Sequence, residues 1–274
     1  MTDPQASPSK SGLLGVARAG RVTDAVLSSI RRLATPGMTT ADLDRHAAML
    51  LSRCGAESAL RGYQDGCGGG PFPASVAICI NNEVMGASDR DRILRAGDLI
   101  TADLAVRFQG WYADAAVTWT LGDTPQEHQR LADGAQAACA AGIRAARPGV
   151  PWTEITRAIW TAARDAGLVL LRGYDAHGIG SAMHQGPRLP MHPDDLFRLD
   201  PPGWTPEPGS IITIEPVVAS RYSGVVRSGW LDRTADGSPA TFFEATIAVG
   251  VSRNLVLAGR CWWPGWNDLR RGGG

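Results

Sequence analysis

Carboxylates stand inside segments that otherwise read as buried β-strands, and this narrows the folds open to the chain more than any other feature. Asp103 lies within Leu99–Val106 and Asp114 within Trp111–Val117; Glu215 closes the run that starts at Ile211, and Glu244 sits within Phe242–Ile247. Short apolar runs rich in Ile, Val and aromatic residues belong in a core. Burying an ionised carboxylate there costs roughly several kcal/mol unless a cation compensates. A fold that gathers the four acids around metal ions resolves the conflict most simply.

Two stretches repeat. Pro36-Gly37-Met38-Thr39-Thr40 and Pro148-Gly149-Val150-Pro151-Trp152-Thr153 each follow an Ala- and Arg-rich amphipathic pattern, over about 14–33 and 128–146. Each begins a second helix through a Thr cap, and that helix ends at a glycine, Gly55 or Gly167, before strand-like segments resume. The chain therefore reads as duplicated, with α/β halves over 12–124 and 125–258 in one domain of residues 12–258. Residues 1–11 form an N-terminal tail, and 259–274 form a Trp- and Gly-rich C-terminal tail. Generic Pro-Gly turns before capped helices are the alternative. Two acids in each half favour duplication, and a site between the halves follows from it.

The first pair of acids is placed more sharply. Strands at 98–107 and 110–120, joined by the two-residue loop Phe108-Gln109, set Asp103 directly opposite Asp114 with Cβ atoms about 5 Å apart. Phe-Gln is a poor turn pair, and Gly110 points to a bulge or a longer loop. Two buried carboxylates that close repel and raise one pKa, whereas divalent cations hold both ionised.

With 274 residues and 44% hydrophobic content the chain can bury a substantial core. Lys+Arg and Asp+Glu both number 27, so net charge implies neither nucleic acid nor an anionic membrane as partner. Five scattered cysteines without C-x-x-C spacing suggest neither a disulfide framework nor a thiolate zinc site, and a reducing interior fits best. The N-terminus lacks the apolar core of a signal peptide and no run reaches membrane-spanning length, so the expectation is a soluble, cytoplasmic protein.

His177-Gly178-Ile179-Gly180 followed by His184, together with Asp103, Asp114, Glu215 in Thr-Ile-Glu-Pro and Glu244, resembles the methionine aminopeptidase family over about residues 14–257. The resemblance implies the α+β pita-bread fold of those metallopeptidases, two pseudo-symmetric α/β halves around a curved, mostly antiparallel sheet. It implies two divalent ions held by Asp103, Asp114, His177, Glu215 and Glu244, with Asp114 and Glu244 bridging. A hard, oxygen-rich donor set of this kind suits Mn, Fe(II), Co or Zn. The implied reaction is hydrolysis of the N-terminal residue, most simply Met, from a peptide or nascent chain, with Glu215 moving a proton and His184 hydrogen-bonding substrate. His46, His128 and His192 match no motif position. Taken singly, Glu215 and Glu244 read equally well as acids paired with Arg221 or Arg227.

The sequence departs from the family pattern near the substrate. A substrate-contacting His is expected on the strand after Ser75-Val76, and Gly86 occupies that position; the family's His after the last glutamate is Ala245. Phe72, Met183 and Trp230 align with apolar pocket positions, but glycines fill the loop at 66–70. These departures keep two alternatives open: the same metallopeptidase chemistry on another peptide or dipeptide, or a non-catalytic pita-bread binding module. The tail Cys261–Trp266 has no family counterpart, and covering the core, packing on a partner chain and disorder beyond Trp266 remain alternatives for it.

Overall fold

The computed structural model describes residues 10–64, 70–222 and 224–263. Each half opens with two helices: α1 (Lys10–Leu33) and α2 (Thr40–Arg53) in the first, α3 (Gln126–Ala145) and α4 (Trp152–Asp165) in the second. Thr39 caps α2. Its hydroxyl oxygen accepts from the Asp42 amide at 3.2 Å while the Asp42 carboxylate accepts from the Thr39 amide at 2.7 Å, a reciprocal pair that satisfies otherwise orphaned donors. The Thr cap expected for α4 is not found. Pro151 is the N-cap and Thr153 lies inside the first turn. Pro151 presets the backbone there, and buried Trp152 anchors the turn by donating its indole N–H to the Pro190 carbonyl at 2.8 Å. Both second helices end at a glycine of positive φ, Gly55 at 64° and Gly167 at 73°.

In the first half, β1 (Glu57–Ser58) and β2 (Ala77–Ile80) pair with successive stretches of β4 (Leu99–Phe108), while β3 (Glu83–Gly86) turns away to another sheet. β5 (Trp111–Thr120) pairs with β4 along its whole length. The second half contributes β6 (Val169–Leu170), β7 (Asp175–Gly178), β8 (Gln185–Pro190), β9 (Ile211–Ile214), β10 (Val217–Ala219), β11 (Val225–Ser228), β12 (Leu231–Thr234), β13 (Ala240–Phe242), β14 (Ala245–Ala248) and β15 (Leu255–Val256). These run in the orders β8-β7-β9-β14-β15 and β6-β10-β13, and β11-β12-β3 crosses between the halves. All of the pairings are antiparallel.

α1 packs across β4 and β5, whereas α3 lies against β9, β10 and β13 and α4 against β6. Alternation decides which residues face α1. Ile100, Ala102, Leu104 and Val106 of β4, with Ala113, Ala115 and Val117 of β5, enter the main core, so Asp103 and Asp114 share the opposite face. That core runs from Val16 to Trp262 and draws on both halves. The expected boundary at 258 therefore does not part a tail from the domain: residues 259–263 belong to the packed unit, and 264–274 lie outside the described residues.

The hairpin register corrects the one read from sequence. Asp103 pairs with Ala116 and Asp114 with Ala105, because the two-residue loop is Gln109-Gly110 and not Phe108-Gln109. Both loop residues have positive φ, 52° and 82°, as a type I′ turn requires, and Gly110 is suited to that conformation. The correction moves the pairing by two residues, which leaves both acids on one face but makes them diagonal neighbours.

Candidate metal centre

The face of β4 and β5 turned away from α1 is polar at its centre. The hydroxyls of Thr101, Thr118 and Thr241 lie within 2.7–2.9 Å of one another, joining the first-half hairpin to β13. Beyond them stand Asp103 and Asp114, whose Oδ1 atoms are enclosed and have no hydrogen-bond partner. Buried acceptors of this kind are normally paired, so two orphaned carboxylate oxygens side by side mark a place where something cationic belongs.

The second half closes over this face. Thr246 of β14 donates its hydroxyl to the Asp114 carbonyl at 2.7 Å and accepts from the Asp114 amide at 3.0 Å. The Glu244 amide donates to the Ala116 carbonyl at 3.1 Å. Those bonds dock the strand carrying Asp114 against the segment carrying Glu244. β9 and β14 pair Ile214 with Ala245, and one further step in that register sets Glu215 opposite Glu244. Thr213 donates its hydroxyl to Glu215 Oε1 at 2.7 Å and accepts from the His177 amide at 3.0 Å.

His177 is oriented as a ligand. Its Nδ1 lies 2.9 Å from the Gly178 carbonyl, which can only accept, so Nδ1 carries the proton and the Nε2 lone pair faces inward. Ligand atoms of Asp114, His177 and Glu244 all lie within 4.8 Å of one another, and His177 Nε2 is 3.8 Å from Glu215 Oε1. Asp103 borders the same group through Asp114.

Burial dominates the electrostatics. It pushes the Glu215 carboxyl up to about 8 and the Asp114 carboxyl up to about 6. Asp103 and Glu244 are raised well above the carboxylate range, first by burial and then by the neighbouring acids. Burial, aided by the charge of His184, pulls His177 down to about 3, which keeps its imidazole neutral. No arginine or lysine among the described residues pairs with any of the four acids. The arginines that could have done so are engaged elsewhere: Arg227 binds Asp232 at 2.7 Å, and Arg221 lies 3.9 Å from Asp236. Three buried carboxylates, the half-buried Asp103, two orphaned oxygens and one neutral imidazole fit divalent cations, whose charge would reverse every one of these upward shifts.

Beside the acids lies an aromatic pocket. Tyr63 OH is 3.0 Å from His184 Nδ1, the His184 and His177 rings meet edge to face at 4.4 Å, and burial lowers the His184 pKa. Phe72 meets Trp230 edge to face at 5.3 Å, and Leu60, Tyr63 and Ala87 pack in the same cluster. Met183 is buried but outside that cluster. Of the Gly-rich loop, residues 66–69 lie outside the described residues; Gly70 accepts from the Trp230 indole at 2.9 Å.

Gly86 does not face this pocket. It pairs with Leu231 on β12, and a Cβ there would lie 1.7 Å from the Trp230 carbonyl oxygen. With φ at 113° as well, position 86 cannot carry an imidazole toward the acids, and Ala87 is the β3-side residue that reaches Phe72 and Trp230. The remaining histidines have local tasks. His46 binds Ser29, His128 the Gly97 carbonyl and His192 the Asp194 amide.

Sequence reasoning passed over Thr213, Thr246 and Tyr63. The first two had a signal, since each is a polar residue in an apolar run two positions from a glutamate, Thr213 before Glu215 and Thr246 after Glu244. Tyr63 had none, because 121 residues separate it from His184.

The sequence matches metallopeptidase family M24 over residues 15–251. It is 33% identical to methionine aminopeptidase 1 of Mycobacterium tuberculosis over 245 residues, covering 85% of this chain and 87% of the relative. It is 30% identical to the methionine aminopeptidase of Aquifex aeolicus, covering 88% and 94%. The fold superposes on the crystal structure of methionine aminopeptidase from Rickettsia prowazekii with a TM-score of 0.84 at 26% identity, covering 92% of this chain and 98% of that one. The prolidase of Pyrococcus horikoshii, at 16% identity and a TM-score of 0.69, shares the fold.

Proposed function

The chain belongs to metallopeptidase family M24 and is a metal-dependent aminopeptidase, and we propose that it releases N-terminal methionine at a centre of two divalent ions. Asp103, Asp114, His177, Glu215 and Glu244 are the residues that would hold them. The observation that carries this assignment is the group of three buried acids and the half-buried Asp103, with two enclosed, orphaned oxygens and no basic partner among the described residues. Mn, Fe(II), Co and Zn all suit the donor set. When bound, such ions make water nucleophilic near neutral pH and polarise a carbonyl oxygen.

The protein's own groups do the rest. Glu215, held at Oε1 by Thr213, carries a proton from water to the leaving amine. His184 hydrogen-bonds the substrate. In the tautomer in which Nδ1 accepts from Tyr63, Nε2–H is the donor available to the scissile bond and its developing charge. Phe72, Trp230 and Tyr63 receive an unbranched apolar side chain, a setting that suits a thioether. Because β3 supplies no imidazole, His184 alone takes the role that related sites divide between two histidines.

The catalytic unit is residues 12–258, extended by the packed segment 259–263. No helix among the described residues is long and apolar enough to cross a membrane. Cys54, Cys79, Cys139 and Cys261 are free thiols, which supports a reducing compartment, the cytoplasm, where nascent chains supply the substrate. A net charge of zero favours neither a nucleic acid nor a membrane partner.

The test is an assay of metal-reconstituted protein against short peptides bearing every N-terminal residue. Release of methionine alone is expected. Preferential release of another residue, or none from protein shown to contain metal, would overturn the specificity.

A further inference from the structure

The segment after β15 returns to the metal site from behind. Leu257 and Ala258 donate their amides to the Thr246 carbonyl at 2.8 and 3.2 Å. Asp24 of α1 accepts from the Gly259 amide at 2.8 Å, and Gln136 of α3 donates to the Trp262 carbonyl at 2.7 Å. Trp262 is 6% exposed, its ring lies 5.0 Å from that of Phe243, and its indole N–H donates to the Glu244 carbonyl at 3.0 Å. The Ala116 amide reaches that carbonyl less closely, at 3.4 Å. The approach depends on Gly259, where a Cβ would fall 2.8 Å from the same carbonyl oxygen.

We propose that Trp262 is a positioning residue of the metal centre: its indole pins the backbone of Glu244 and so fixes the direction in which that carboxylate meets the ions. Glu244 stands in the break between β13 and β14, where its backbone is tied to β5 by a reciprocal pair with Ala116 whose bond to the Glu244 carbonyl is the long one, at 3.4 Å. Ala116 holds the Glu244 amide at 3.1 Å, and the carbonyl takes its shorter bond from the Trp262 indole at 3.0 Å. Loss of a group that orients a ligand typically costs about 10- to 100-fold in metal affinity. A segment that the catalytic reading leaves without a task thereby becomes part of the site.

The inference rests on Glu244 being a ligand, and the experiment keeps the two apart. Zn2+ affinity is measured by chelator competition for wild type, Trp262→Phe, Glu244→Gln and the double variant. Trp262→Phe keeps the ring and removes the N–H, so affinity should fall about 3- to 10-fold in the wild-type background, with little further loss beside Glu244→Gln. A role in packing alone would lower the melting temperature and leave Zn2+ affinity unchanged. Weakened binding by Glu244→Gln with unchanged binding by Trp262→Phe overturns the positioning role alone; unchanged binding by Glu244→Gln overturns the ligand assignment and this inference with it. Should Trp262→Phe not fold, wild type labelled with 15N-tryptophan decides. The Trp262 indole N–H should exchange with solvent several-fold more slowly when Zn2+ is bound, and equal rates in the two states would refute the coupling.

Discussion

Asp103 and Asp114 stand on adjacent strands joined by a two-residue turn, whereas Glu215 and Glu244 stand at strand ends separated in the chain by β10 to β13. In the first half one local event, closure of the type I′ turn at Gln109-Gly110, puts both acids on one face. In the second half nothing local does so. Glu215 is held by Thr213 two residues before it, but Glu244 is held by Ala116 and Trp262, groups that arrive only when β14 and the C-terminal segment pack on the first-half hairpin. A carboxylate pair inside a hairpin can thus be assembled early and cheaply. The pair at strand ends depends on long-range contacts, which carry a larger loop-closure cost.

The largest effects should separate the pairs by what they lose. Asp114→Asn removes a carboxylate charge from the proposed metal centre, so metal content after dialysis should drop to a small fraction of wild type and activity should fall by about 10²- to 10³-fold. Elemental analysis showing full occupancy would remove Asp114 from the centre. Glu215→Gln keeps the shape and one weak ligand oxygen but not the proton transfer. Its kcat should therefore fall about 100-fold or more, with KM within about 3-fold of wild type; a near wild-type kcat would end the shuttle assignment.

Smaller effects probe the scaffold that joins the halves. Gly86→Ala places a methyl against the Trp230 carbonyl at a positive φ. We expect a loss of about 2–4 kcal/mol in chemical denaturation. Unchanged stability would show that β3 and β12 can part, and would reopen position 86 to a larger side chain. Gly110→Ala strains only the turn, so it should cost about 1 kcal/mol while leaving metal content unchanged. A loss of metal in that variant would mean that the first pair depends on its turn more tightly than diagonal pairing allows.

Much of this was legible along the chain. Strand alternation is a local, period-two property, so acids inside apolar runs announced carboxylates on a shared face in any register that differs by an even number of residues. A slip of two residues changed who pairs with whom and left that conclusion standing. The Thr39 cap was equally local. The Thr153 cap was not found, because Pro151 and the burial of Trp152 set the start of α4.

What the sequence determined by itself was the set of chemical groups and their faces: four acids, His177 with His184, and two halves built alike. Tertiary structure alone decided how each group is used. It placed Tyr63 against His184, closed position 86 with the Trp230 carbonyl, and brought Trp262 to the backbone of Glu244. The reason is physical. Burial and alternation follow from the order of apolar and polar residues within a few positions, whereas a hydrogen-bond partner is supplied by whichever distant segment the packing delivers.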